Sequence, residues 1–401
     1  VHPGRKAEDG EPLSWNRRAP AARPLRVAVL YNLKENAPNL NGQRPPDLLV
    51  ELDTRRNVDD YVAAIRALGH DVAAYEGDAA LPEKLAARPV DICFNTCEGY
   101  RGDSREAQVP ALLEMLGVPY SASQVLALAL TLDKAMTKRV LAQHGLPTPR
   151  FQEFHDPRQP LDPALRARLE AGLPLFVKPN REGTSIGIHR DSVVSTEAAL
   201  RERVAHHLAL YRQTVLVEEY IEGRDVTCGL VGNLRPDGSA DDLHIFPISE
   251  VDYSGYRPGT EHFYSYELKV DLADEYRWLC PAPLPDEIAA EVRRLTLEAF
   301  RACGCLDVCR VDFRLDARNR LQPLILEVNA LPGMGWNSDL TRCAEAEGFS
   351  HYRLVQTVFN AAVDRYGLPR ARRGIPNPNY VPGDEWRVTS PASHVTRHTS
   401  L

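Results

Sequence analysis

The stretch Arg310–Leu340, RVDFRLDARNRLQPLILEVNALPGMGWNSDL, decides how the rest of the chain is read. Val311 to Leu315 alternates apolar and polar residues like a half-buried strand, Asp316 to Asn319 makes a turn, and Pro323 to Val328 returns as the partner strand. On this hairpin Asp312, Glu327 and Asn329 sit where they can face one another. Glu327 and Asn329 share one face because strand side chains repeat every two residues. Two carboxylates and an amide oxygen form a hard donor set suited to Mg²⁺. Arg310 projects to the same side as Asp312 and offers a fixed cation to an oxyanion. Solvated acids on neighbouring strands are the commoner outcome of such spacing. What favours a site is the Pro332-Gly333 turn, which exposes backbone N–H groups directly after the strand, with Ser338 following.

Pro174–Ile188, PLFVKPNREGTSIGI, is the second informative stretch. A lysine inside an apolar strand, Lys178, feeds a loop of small and hydroxyl residues. Phosphate binding asks for this combination, a point charge plus backbone N–H groups that can approach closely. No G-K-[ST] opens a helix here, so it is not a P-loop. A plain hairpin turn is the alternative.

Working outward, Leu25–Tyr31, Asp71–Tyr75 and Pro89–Asn95 read as strands, with a helix from about Val58 to Leu68 between the first two. Strand, helix, strand implies a parallel doubly wound unit. The polar, glycine-bearing loop Glu98–Asp103 lies at a strand's carboxyl end, where ligands gather in such sheets, although an ordinary connection is nearly as good a reading. Leu126–His144 reads as one helix, on which Lys134 and Lys138 would normally face solvent. Helices are expected at Thr196–Leu210, Pro285–Cys303 and Ser350–Arg365, and strands at Val215–Ile221 and from Thr227 to Val231.

Composition narrows the function classes. The 401 residues carry a net charge of −7, so no basic surplus points to nucleic acid, and no apolar run approaches membrane-spanning length. The eight cysteines form no paired C-x-x-C units and lie mostly in apolar stretches, which reads as buried thiols in a reducing compartment. The first two dozen residues lack the apolar centre of a secretory signal and read as a loose extension. The Pro-, Asn- and Arg-containing segment after Gly367 reads as a tail.

The pattern R-x-D at Arg310, E-x-N at Glu327, then P-G-M and a serine resembles the D-alanine-D-alanine ligase family of the ATP-grasp superfamily. The similarity extends over about residues 25 to 365. It includes V-K-P-x-x-E-G at Lys178, with Thr184 in place of the family's first serine, and L-E-x-L-G-x-P-Y at Leu113–Tyr120. The resemblance implies an α/β ATP-grasp fold. Its expected parts are an extension over 1–24, an N-terminal Rossmann-like domain over 25–122, a central lid over 123–214, a C-terminal ATP-grasp unit over 215–368 and a tail over 369–401.

It further implies an ATP-dependent ligase that makes an amide bond through an acylphosphate, with two Mg²⁺ (Mn²⁺ as substitute) held by Asp312, Glu327 and Asn329. Lys134, Lys178 and Lys269 would contact phosphates, with Glu182 and Ser185 in the loop closing over them. Glu218 with the backbone of Tyr220 and Ile221 would meet adenine, and Asp225 would meet ribose. Arg310, Thr184 and Ser338 would serve catalysis, and Glu98, Gly333, Ser338 and Asp339 would face the substrates.

Three substrate-choosing positions depart from the family pattern: Glu98 stands for a histidine, Val270 for a tyrosine and Asp339 for a leucine. They suggest amino-acid or peptide substrates other than two D-alanines. A true D-alanine-D-alanine ligase and a non-catalytic nucleotide binder are the competing readings. Relatives are usually cytoplasmic homodimers, and that is the expectation here.

Overall fold

The computed structural model describes residues 23–38, 47, 49–254, 263, 265, 266 and 277–370. The expected N-terminal extension, the C-terminal tail beyond residue 370, and Lys269 and Val270 lie outside the described residues. Three sheets organise what is described.

The first is parallel, in the order β2-β1-β3, from β1 (Arg26–Tyr31), β2 (Asp71–Glu76) and β3 (Ile92–Asn95). Its strands are near-continuous apolar runs because both faces are covered. The crossover helix Arg55–Arg66 starts where Thr54 accepts a hydrogen bond from the Asn57 backbone N–H, a cap that satisfies one of the first turn's free donors.

The second sheet is antiparallel, in the order β4-β7-β5-β6: β4 (Phe151–Phe154), β5 (Leu175–Pro179), β6 (Val193–Val194) and β7 (Val215–Glu219). Leu175, Val177, Val215 and Val217 turn to one side and pack with Leu165, Leu200 and Val204 from the helices Pro163–Glu170 and Glu197–Tyr211. Period-two alternation therefore sends Phe176, Lys178 and Glu218 to the other face. The division expected between 214 and 215 cuts this sheet, since β7 pairs with both β4 and β5.

The third sheet runs β11-β10-β8-β12-β13, with β9 beside β8. Its strands are β8 (Gly223–Val231), β9 (His244–Ile245), β10 (Ser249–Asp252), β11 (Arg277–Leu279), β12 (Val308–Asp316) and β13 (Gln322–Asn329). The expected hairpin is β12 and β13, antiparallel, with Arg310 opposite Asn329 and Asp312 opposite Glu327, and a register shift after Asp312. The helix Asp286–Cys303 covers it and ends at Gly304, whose φ of +66° suits a residue without a side chain. One apolar core runs from the first sheet through the helices Arg55–Arg66 and His351–Arg365 into the third sheet, whereas the second sheet has a core of its own.

The single helix expected over 126–144 is a correction. The structure has two, Val125–Leu132 and Lys134–Gln143, separated at Asp133, which adopts an extended conformation (φ −85°, ψ 99°). The Asp133 carboxylate caps the second helix by accepting from the Met136 N–H at 2.9 Å and also accepts from Arg181 Nε at 2.9 Å. Asn180, at the end of β5, holds that helix start by accepting from the Lys134 N–H with its carbonyl and from the Ala135 N–H with its side chain. Lys134 thereby becomes the first helical residue and is buried rather than facing solvent. Among the described residues no helix is long and apolar enough to cross a membrane.

Candidate active site

A cleft lies between the second and third sheets, and Lys134, Lys178, Glu218, Arg310, Asp312 and Glu327 line one cavity within it. The loop after β5 borders it, with Thr184 and Ser185 at φ +52° and +60°, a conformation non-glycine residues rarely adopt. A side chain at Gly183 would meet a Glu51 carboxylate oxygen at 2.2 Å, so the loop lies close against the first sheet's connection and any larger residue would push Glu51 aside.

At one end of the cleft, Glu218 sits between two lysines: Lys178 Nζ at 2.5 Å and Lys138 Nζ at 2.8 Å. Burial opposes the charge on Glu218, but the two ammonium groups outweigh it and hold the carboxyl at about 2. Burial is also the main reason Lys138 is lowered to about 8. Lys138 belongs to the site although the sequence suggested only a surface charge; its spacing of four from Lys134, on one helix face, was the available signal.

The hinge after β7 is partly occupied by its own neighbours. The Tyr220 carbonyl accepts from Arg168 and the Ile221 carbonyl from Arg314, while the Ile221 N–H has no hydrogen bond among the described residues. Asp225 is gripped by Arg314 at 2.7 Å and accepts from the Tyr253 hydroxyl at 2.5 Å. Tyr220 stacks on Phe176, giving the cavity an apolar, flat wall. Arg314 was missed, although it stands two residues after Asp312 and therefore on the same strand face.

At the other end, the three expected metal residues come together. Asp312 accepts from Thr227 at 2.8 Å, from Arg310 at 2.9 and 2.8 Å, and from the Asn329 amide at 2.9 Å. Glu327 faces Lys134 at 2.7 Å. Burial would raise the Asp312 carboxyl, but Arg310 lowers it below the usual range. The donor set fits a hard dication, because Asn329 spends its N–H on Asp312 and leaves its oxygen available beside two carboxylates. Asp339 lies 3.8 Å from Arg310 and begins the helix Asp339–Glu345, capped by Ser338, whose Oγ accepts from the Thr341 N–H. No atom lies within 4 Å of where a Gly333 side chain would start, so its backbone borders open space in a wider cavity shared with Arg310, Asn329 and Ser338.

That wider cavity also holds Glu98, with Glu51 and Glu106, which the sequence did not single out. One carboxylate oxygen from each lies within 4.8 Å of the others, a spacing at which two charges repel by about 3 kcal/mol at an effective dielectric constant near 20. Arg105 pairs with Glu51 at 2.7 Å and with Glu182 at 3.1 Å. Burial, then Glu51's charge, pushes Glu98 well above the carboxylate range and Glu106 up to about 8.

Residues 140–360 match the family model described as D-ala D-ala ligase C-terminus. A D-alanine–D-alanine ligase of Bordetella petrii is 36% identical over 89% of this chain and 98% of its own length. An uncharacterized protein of Sinorhizobium fredii is 32% identical over 85% of this chain and 98% of its own. The crystal structure of Bacillus anthracis D-alanine–D-alanine ligase complexed with ATP superposes with a TM-score of 0.60 at 21% identity, covering 85% of this chain and 98% of that one, a likeness of fold. With Lys178, Glu218, Arg310, Asp312 and Glu327 of the cleft lying inside the matched region, the chain belongs to the D-alanine–D-alanine ligase family of ATP-grasp enzymes, the ATP-dependent ligases that form carbon–nitrogen bonds.

Proposed function

We propose that this ligase activates the carboxylate of one amino-acid-like substrate with ATP and joins it to the amine of a second, and that the pair is not two D-alanines. The observation that carries the reading is the single cavity lined both by Lys134 and Lys178 and by Arg310, Asp312 and Glu327. One triphosphate can therefore meet both groups at once. Lys134 and Lys178, with Lys269, neutralise phosphate oxygens, and the Glu182–Ser185 loop excludes water from the reactive intermediate. Phe176, Tyr220 and the Ile221 N–H receive the base, and Asp225 the ribose. Asp312, Glu327 and Asn329 would hold two Mg²⁺, for which Mn²⁺ can substitute; bound there, the ions offset charge on the transferring phosphoryl group.

The chemistry balances without further reagents. A carboxylate oxygen attacks the γ-phosphorus, the bond to the bridging oxygen breaks, and ADP leaves. The amine then attacks the acyl carbon, phosphate departs with the former carboxylate oxygen, and the amine's proton passes to solvent. Arg310 and the Gly333 backbone face the oxyanion formed at the acyl carbon, where fixed donors act most strongly. Thr184 and Ser338 supply hydroxyls beside the reacting groups.

Glu98 and Asp339 support a partner other than D-alanine, since each puts an acid in the substrate cavity. The 36% identity to the Bordetella petrii enzyme over nearly its whole length favours the second reading, D-alanine with D-alanine. ADP release measured across single amino acids and dipeptides, with mass detection of the coupled product, separates the two; stimulation by D-alanine alone would sink the first. A homodimer in the cytoplasm completes the proposal; its compartment is supported by eight free thiols that suit a reducing environment.

A further inference from the structure

Glu51, Glu98 and Glu106 have no role in the steps above, yet they converge at the wall of the cavity that holds Arg310, Asn329 and Gly333. Glu106 is only 8% exposed, and its carboxylate makes no hydrogen bond or ion pair among the described residues. A buried acid is ordinarily paired, and this one instead faces a cavity beside two more. Arg105 balances Glu51, but it is shared with Glu182 and makes no ion pair with Glu98 or Glu106. Among the described residues, two carboxylates are thus left without an ion pair.

We propose that Glu51, Glu98 and Glu106 form a subsite for ammonium groups, and that one molecule this ligase joins is a diamino acid, with a side-chain ammonium besides its α-ammonium. The inference rests on the ligase reading. An amino acid with one ammonium would answer one of the two unmatched acids, whereas a diamino acid answers both. Each ammonium brings three donors, and each carboxylate can accept several. A divalent metal ion is the rival occupant. It is disfavoured because a guanidinium already lies 2.7 Å from Glu51, one of the three carboxylates that converge here among the described residues, and a hard dication wants six or more oxygens. The same cavity leads to Arg310 and the Gly333 backbone, which suit the carboxylate end of such a substrate.

The test uses the full chain with ATP and Mg²⁺, measuring ADP release with 2,3-diaminopropionate, 2,4-diaminobutyrate, ornithine, lysine and alanine in both chiralities. A diamino acid is expected to exceed alanine in kcat/KM by about tenfold or more. Glu106→Gln, and separately Glu98→Gln, should raise its KM by about tenfold while KM for ATP stays put. Equal use of alanine, or a preference untouched by both variants, overturns the proposal. If no amino acid releases ADP, the ligase reading fails separately. Calorimetric titration of the same diamino acids, and of Mn²⁺ alone, into wild type and Glu106→Gln then decides. Diamino-acid binding lost in the variant supports the subsite; Mn²⁺ binding without diamino-acid binding, or no heat from either, overturns it.

Discussion

The two ends of the cleft handle charge in opposite ways. At the end that holds Lys178 and Arg310, these buried charges have met opposite ones: Lys178 and Lys138 with Glu218, Lys134 with Glu327, Arg310 with Asp312. At the far wall three acids converge, Arg105 pairs with Glu51 alone among them, and Glu106 has no hydrogen bond or ion pair among the described residues. A paired end is held in place before any ligand arrives, at the cost of contacts that a ligand must exchange. An unpaired end keeps acids that burial holds protonated until a cation binds, so binding energy is available there and stability is not.

Substitutions can break or sharpen this contrast. The largest effect is expected from Arg310→Ala, which should lower the rate of product formation by about a hundredfold or more, as loss of an oxyanion donor does, and leave the dissociation constant for ATP within a few-fold. Normal turnover would reduce the Arg310–Asp312 pair to a structural contact. Lys138→Met should come next, lowering unfolding stability by about 3 kcal/mol in denaturant titration because Glu218 keeps only one of its cations. A neutral outcome would mean that end is not tightly balanced. Asp133→Ala removes a cap and a partner of Arg181 and should cost about 1 kcal/mol by the same measurement.

Glu106→Gln is opposite in sign, and its effect depends on pH. The folded carboxyl titrates at about 8, above its unfolded value, so the native state binds the extra proton between roughly pH 4.5 and pH 8. Wild-type stability therefore falls as pH rises through that window. The glutamine variant escapes the loss, and its melting temperature should exceed wild type at pH 8 but not at pH 4.5. An equal difference at both values would show that Glu106 is not held protonated.

Where local pattern decides structure, the sequence was legible. The β12–β13 hairpin, the helices ending at Cys303 and Arg365, and β5 with its loop all follow from alternation, caps and glycines. The expected metal trio met because register on one hairpin is a local property. What escaped depends on distant partners. The break at Asp133 relies on Arg181 and Asn180, more than forty residues away, and inside an apolar run the aspartate looks like any helix surface residue. Glu51 lies in a turn and Glu106 in the three-residue 3-10 helix Arg105–Ala107, and nothing in either segment announces that folding will set them beside Glu98. The carbonyls of the hinge, expected to be open, are bonded to Arg168 and Arg314, which only three-dimensional packing could reveal.

All eight cysteines are free thiols; seven are buried and Cys280 is half-buried. They sit in or beside the core that joins the first and third sheets, and the whole segment between Cys97 and Cys228, which contains the second sheet, has none. The molecule therefore carries its own set of chemical clocks on one part only. Alkylation of these sulfurs during gradual denaturation would time the collapse of the frame and stay silent while the second sheet alone came loose.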